Sequence, residues 1–301
     1  MDVQQQTGPV RVTDTWRITV PTELGPCTVR IQDGAGPESG TADVYLHGAA
    51  GSWTTFLPLM SRAPENDRIL IDLPGWGDST QAARLEGATI EAMASAVVEV
   101  LTVLGHRRWN IVGHSMGGFL ALHIAAAWPA QTASVATISA TTFGVTDSIR
   151  HPWRGLFLLP FFVFMLLLMR STAPFGKTGT ALIRGVGKTP IMRLLLGPLF
   201  ANPAAIPERV IRRLAQEARP ASFGAAARAA ALYNAGQWRS ICCPVLAIRG
   251  DRDVFTPQSD LEQLAALCTH VRTVTVPRCG HFATVEQPDT VQRLLTDLRQ
   301  R

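Results

Sequence analysis

The spacing of hydrophobic positions divides the chain into three stretches. Through residue 140, short apolar runs alternate with amphipathic ones. Segments 42–48 (ADVYLHG) and 68–75 (RILIDLPG) read as strands that run into glycine-containing loops. From Thr89, apolar residues recur every three to four positions through TIEAMASAVVEVLTVLG, which predicts a helix closed by Gly105. Segment 109–115 (WNIVGHS) is a short apolar strand followed directly by the helix-like MGGFLALHIAAAW, which Pro129 stops. SVATIS (134–139) reads as the next buried strand. The alternation resumes after residue 240. PVLAIRGD (244–251) and HVRTVTVP (270–277) are strands, and between them TPQSDLEQLAALC is a helix with Thr256 as N-cap and Pro257 at its first position. A closing helix starts near Pro288. Strands alternating with helices predict a mostly parallel sheet with helices on both faces.

The middle stretch breaks this rhythm. Residues 155–169, GLFLLPFFVFMLLLM, carry no charge over fifteen positions and lie between Arg154 and Arg170. A bilayer span needs roughly 20 apolar residues, and Pro160 interrupts this run at a cost of about 3 kcal/mol within a helix interior. A span here would also send the two halves of the sheet to opposite sides of the membrane. The run is therefore expected to be helical but not transmembrane. Segments 191–200, 207–218 and the following AAARAAALYNA are further helical candidates. Residues 1–140 and 241–301 then form one α/β core domain, and residues 141–240 a helical insertion.

Charge sharpens the boundary. Residues 141–240 hold thirteen Arg and Lys against three acids, whereas the rest of the chain holds fifteen basic and twenty acidic residues. Hydrophobic residues make up 47% of the chain and charged residues 17%, which is ordinary for a globular protein. The first dozen residues are polar and unpatterned, a candidate disordered stretch with no basic-then-apolar secretory pattern. Five cysteines show no CxxC pair and no metal-ligand spacing, so reduced, structural thiols in a cytoplasmic protein are expected. No cofactor or metal is implied. The basic residues are not interleaved with exposed aromatics on strands, which argues against nucleic acid.

Gly113-His114-Ser115-Met116-Gly117 fits G-x-S-x-G at a strand-to-helix junction, the context that motif requires. A serine on so sharp a turn leaves no room for side chains two residues to either side, hence Gly113 and Gly117. Its hydroxyl then stands above the sheet at a helix N-terminus, where developing negative charge is favoured. A nucleophilic serine needs a base, and the base an orienting acid. His106 sits in a loop with two arginines, His123 lies within a helix, His151 belongs to the insertion and His270 begins a strand. His281 falls in the loop after the last predicted strand, on the rim where a parallel sheet binds ligands. The loop after PVLAIR offers two acids on the same rim, Asp251 and Asp253. The backbone N–H of Met116, beside the nucleophile, is one candidate oxyanion donor.

The elbow and the order serine, acid, histidine resemble the α/β-hydrolase superfamily over nearly the whole chain outside the insertion. That resemblance implies an α/β-hydrolase fold with a helical cap, or lid, after the sixth strand. It also implies Asp253 as the acid, with Asp251 the runner-up. His47-Gly48-Ala49-Ala50-Gly51-Ser52 resembles the family's HGxxGS loop, which implies Ala49 N–H as the second oxyanion donor and a structural role for His47. Residues 72–79, DLPGWGDS, resemble its DxxGxGxS support loop. Ser115 at the elbow departs from the aspartate of haloalkane dehalogenases and epoxide hydrolases, and a single His-Gly departs from the HGGG esterases.

These readings predict a lid-bearing serine hydrolase acting on an ester or thioester with a hydrophobic acyl part. Alternatives are a C–C bond hydrolase, an acyltransferase or lactone-forming enzyme with the same triad, or a non-catalytic sensor of small ligands. The basic, apolar insertion suits a membrane surface, an acyl carrier protein or a coenzyme A phosphate, so peripheral membrane contact is a further expectation.

Overall fold

A computed structural model describes residues 15–35, 40–61 and 64–300. The expectation of disorder in the first dozen residues lies outside these. In chain order, the described elements before the insertion are β1 (Trp16–Val20), β2 (Cys27–Gln32), β3 (Thr41–Leu46), β4 (Asp67–Ile71), α1 (Ile90–Val103), β5 (Arg108–His114), α2 (Met116–Ala127) and β6 (Thr132–Ile138). The helices α3 (Phe143–Arg150), α4 (Pro152–Leu158), α5 (Pro160–Thr172), α6 (Gly176–Val186), α7 (Ile191–Leu196), α8 (Glu208–Gln216) and α9 (Pro220–Leu232) follow. The chain returns to the sheet with β7 (Val245–Gly250), α10 (Gln258–Leu267), β8 (Val271–Val276), α11 (Ala283–Glu286) and α12 (Pro288–Arg299).

The described strands form one eight-stranded sheet in the order β1-β2-β4-β3-β5-β6-β7-β8. It is parallel from β4 through β8, with β1 and β2 antiparallel at one edge. Side chains of a strand alternate between faces. Val44 and Leu46 of β3 therefore pack with Val97 and Val100 of α1 and Leu120 and Ile124 of α2. Tyr45, between them, joins Leu70, Val112 and Leu246 under Val291 and Leu295 of α12. Both faces are covered, which is why β7 is buried along its whole length. Helix α1 starts as its sequence predicts, with the Thr89 hydroxyl accepting the Ala92 N–H at 3.1 Å.

The apolar run is helical but divided: Pro160 takes the first position of α5, where its missing N–H costs nothing, and Leu159 breaks the path from α4. No helix among the described residues is long and apolar enough to cross a membrane. Thr256 does not cap α10. That helix begins at Gln258 after Pro257, and the Thr256 N–H instead donates to Asp253 Oδ1 at 3.2 Å.

The run of helices between β6 and β7 is tied down at its start by a residue of α10. Buried Asp260 of α10 accepts the Thr142 hydroxyl at 2.8 Å and the Gly144 N–H at 2.9 Å. Burial pushes its carboxyl up to about 6 despite these donors. Helix α9 returns the favour from the other end, since Ala226 and Ala229 belong to the main sheet-packing core.

Candidate active site

Ser115 occupies the single residue between β5 and α2, at φ 54° and ψ −118°. A non-glycine residue there stores roughly 1–3 kcal/mol, so the surroundings must hold it. They do: the Ser115 N–H donates to the Ile138 carbonyl at 3.0 Å, and its own carbonyl accepts the Gly118 N–H at 3.0 Å. The flanking glycines are required by contact. A Cβ on Gly117 would collide with the Leu46 carbonyl, and one on Gly113 with the Gly117 carbonyl.

The histidine and the acid arrive from the two strands on the far side of β6. His281, in the loop after β8, donates from Nδ1 to Asp253 Oδ1 at 2.9 Å, and both side chains are almost fully buried. Asp253 Oδ1 also accepts the Phe255 N–H at 2.9 Å. Burial pushes the Asp253 carboxyl upward, but the adjacent imidazole and these hydrogen bonds outweigh it and hold the group below the ordinary carboxylate range. Asp251 is placed elsewhere: it is exposed and accepts the Cys279 N–H at 3.0 Å. The His281 backbone is anchored on two sides, by its N–H on the Leu199 carbonyl at 2.8 Å and by its carbonyl accepting His114 Nε2–H at 3.0 Å.

His114, expected from the sequence as a support residue of the elbow, thus ties the turn at Ser115 to the His281 loop. Its ring lies 5.0 Å from that of His281 and 4.8 Å from that of Phe282. Burial, then the charge of His281, pushes it down to about 3, so it is neutral and able to donate from one nitrogen. Nothing in a linear sequence marks this role, because the position within G-x-S-x-G accepts many residues. His123 is a packing residue, hydrogen-bonded to the Tyr233 hydroxyl at 2.9 Å.

The loop after β3 lies against the serine. A Cβ on Gly48 would stand 2.7 Å from Ser115 Cβ, so only glycine lets Ala49 approach. His47 Nδ1–H donates to the Gly48 carbonyl at 2.8 Å, and its Nε2 accepts the Leu73 N–H at 3.0 Å. Burial holds it below its ordinary range, and these two bonds use both nitrogens, so it is a strut between two loops. Asp72 finishes the frame, accepting the Trp53 N–H at 2.8 Å through one oxygen and the Asp78 N–H at 3.0 Å through the other.

Ser115 and His281 open into one cavity, bordered beside them by Ala49 and Met116. Met116 is the first residue of α2, where backbone N–H groups have no intrahelical partner. Much of the wall comes from the helices between β6 and β7, including Met165 and Leu168 of α5, Ile183 of α6, Met192 of α7 and Phe223 of α9, and the rest from residues such as Ile90, Phe119 and Phe255. No Asp, Glu, Lys or Arg side chain lines it. Such a space suits a largely apolar ligand, with few polar groups to orient it. Among the described residues, no three His, Cys, Asp or Glu side chains are grouped to hold a metal ion. Cys279, near the site, is buried, which pushes its thiol up to about 12 and makes it a poor nucleophile.

Residues 44–294 match the family model described as "Alpha/beta hydrolase family". The chain is 30% identical over 261 residues to a pimeloyl-[acyl-carrier protein] methyl ester esterase of Xanthomonas oryzae pv. oryzae, covering 85% of this chain and 94% of that one. It is 26% identical to the dihydrolipoyllysine-residue acetyltransferase component of the acetoin cleaving system of Pseudomonas putida, across 88% of this chain but only 65% of that longer protein. Among solved structures, an E-2-(acetamidomethylene)succinate hydrolase superposes with a TM-score of 0.70 at 20% identity, covering 95% of this chain and all of that one.

Proposed function

Because the chain belongs to the alpha/beta hydrolase family, we propose that it is a serine hydrolase that cleaves a carboxylic ester or thioester with a hydrophobic acyl group. The observation that carries this reading is the cavity itself: Ser115 and His281 line a space with no charged wall, and Asp253 holds the Nδ1 nitrogen of His281.

In this reading Ser115 Oγ attacks the acyl carbon while His281 Nε2 takes the hydroxyl proton. Asp253, bonded to Nδ1–H, keeps the imidazole in the tautomer whose Nε2 is free to accept, and stabilises the imidazolium that forms. The Ala49 and Met116 N–H groups face the oxyanion. His281 then gives its proton to the departing alkoxide or thiolate, and the acyl group stays on Ser115. A water that loses its proton to His281 releases the acid and restores the serine. His47, Gly48, Gly113, His114 and Gly117 position these groups. Residues 141–240 act as the lid that supplies the acyl-binding walls.

A substrate with a carboxylate deep in its acyl tail fits poorly, because a buried charge without a partner costs several kcal/mol. That consideration favours plain acyl chains over the acidic diketones of C–C bond hydrolysis. The relative's ester is borne on an acyl carrier protein, so a carrier-bound thioester or ester belongs among the substrates to be tried.

The test is labelling by a fluorophosphonate, followed by a series of p-nitrophenyl esters of increasing acyl length. Labelling of the wild type but not of Ser115→Ala, with turnover peaking at medium or long chains, is expected. Labelling of both proteins, or of neither, overturns Ser115 as nucleophile. A preference for acetyl over longer chains overturns the acyl-pocket assignment.

A further inference from the structure

Helix α5 is apolar on both sides. Its inward residues Phe162, Val163, Leu166 and Met169 are buried, while Pro160, Phe164 and Leu167, spaced i, i+4 and i+7, look outward and are exposed. A helix facing water carries polar residues on that side. The neighbouring α4 rests on α5 through buried Gly155 and turns Trp153, Leu156, Phe157 and Leu158 outward, with Phe157 88% exposed. Large side chains exposed in series on adjacent helices mark a surface that is covered in use.

The charge around this face is mostly positive, and the nearby carboxylate of Asp147 on α3 is taken up by His151 at 2.9 Å. From residue 148 to 207 the chain has seven Arg and Lys and no Asp or Glu. Arg154, Arg170 and Lys177, all exposed, border α4 and α5, and the Arg154 guanidinium lies 5.0 Å from the Trp153 ring. Bulky apolar side chains with cations at their margin match the interface of an anionic bilayer, where hydrocarbon receives the rings and headgroups receive the cations. The face also connects to the chemistry. Phe164 is exposed and at the same time lines the cavity that holds Ser115, with Met165 and Leu168 behind it.

We propose that the outward face of α4 and α5 docks on an anionic lipid bilayer, lying in its surface without crossing it, so that the cavity opens at Phe164 toward the acyl layer. This goes beyond the ester-hydrolase reading, on which only its consequence, delivery of lipidic acyl substrates, rests. The polar side chains on this face are few, so it offers a protein partner little to hydrogen-bond. A bilayer needs no such directional contacts.

The experiment is co-sedimentation of the full chain with phosphatidylcholine vesicles, with and without phosphatidylglycerol. Wild type and Ser115→Ala are expected to pellet equally with the anionic vesicles, about tenfold less with neutral ones, and less in high salt. Phe157→Ser with Leu158→Ser should weaken anionic-vesicle binding by about ten- to a hundredfold. Arg154→Glu should weaken it by about tenfold. Both variants should keep the melting temperature and the turnover of a short soluble ester. Absence of wild-type binding, or binding undiminished in these variants, overturns the proposal. So does a dimer that binds no vesicles and becomes monomeric in the Phe157/Leu158 variant, since the face then covers a second copy. Retention on an immobilised acidic carrier protein without vesicle binding overturns it in favour of that partner. Vesicle binding without any esterase activity would leave the docking surface intact and refute the hydrolase reading alone.

Discussion

Asp253 meets His281 through the same carboxylate oxygen that accepts the backbone N–H groups of Phe255 and Thr256. The Asp253 carboxylate is thereby fixed by its own loop as well as by the histidine. Asp253→Asn places a donor or a weaker acceptor against Nδ1 and favours the wrong tautomer. A fall in kcat of about 10⁴-fold with little change in KM is expected in ester kinetics. Asp251→Asn should leave kcat unchanged. A larger loss from Asp251 than from Asp253 would reverse the assignment of the acid.

Glycine substitutions separate folding from positioning. Gly117→Ala drives a Cβ into the Leu46 carbonyl inside the sheet. Overpacking of this kind costs about 1–3 kcal/mol or more, and a clearly lowered melting temperature is expected. Gly48→Ala presses instead on Ser115 Cβ at 2.7 Å. Misplacement of the nucleophile by a fraction of an ångström should lower kcat about a hundredfold with a small change in melting temperature. Equal effects of the two substitutions on both readouts would contradict this separation.

Asp260 confers a pH dependence of defined sign. Its folded value of about 6 lies above the ordinary 3.8, so between these values the folded state holds a proton that the unfolded state has released. Its contribution is fully present below about pH 4 and is lost as pH rises through about 6, to a total of about 3 kcal/mol. Asp260→Asn can still accept from the Gly144 N–H and donate to the Thr142 hydroxyl. It should remain folded and lose that part of the slope in urea titrations from pH 4 to 7. A difference in stability between wild type and variant that does not vary with pH would refute it.

Leu168 lies on the wall of the cavity, away from Ser115 in the chain and on a helix of the insertion. Leu168→Trp should shorten the space, moving the preferred p-nitrophenyl ester toward shorter acyl chains while acetyl ester turnover persists. An unchanged chain-length profile would place the acyl group elsewhere.

The sequence alone determined the α/β alternation, the family and the positions of Ser115, Asp253 and His281 as candidates. These follow from local physics: buried strands are continuous apolar runs, and the elbow needs small residues at fixed offsets. The antiparallel strands β1 and β2 escaped that reading. Cys27, Val29 and Ile31 are buried and alternate with Thr28, Arg30 and Gln32, yet such a pattern becomes a strand only through pairing, here with β1 on one side and with β4 on the other. Pairing decided what the pattern left open. Tertiary structure also chose between Asp251 and Asp253 for the bond to His281, which depends on where two loops meet. It gave His114 and Asp260 their tasks, because each acts on a segment more than a hundred residues distant. It split the apolar run at Pro160 and turned one side of α5 into the cavity and the other toward the exterior. Spacing can say that a helix is apolar all round. Only packing says which side is buried, since that depends on what else has already filled the space.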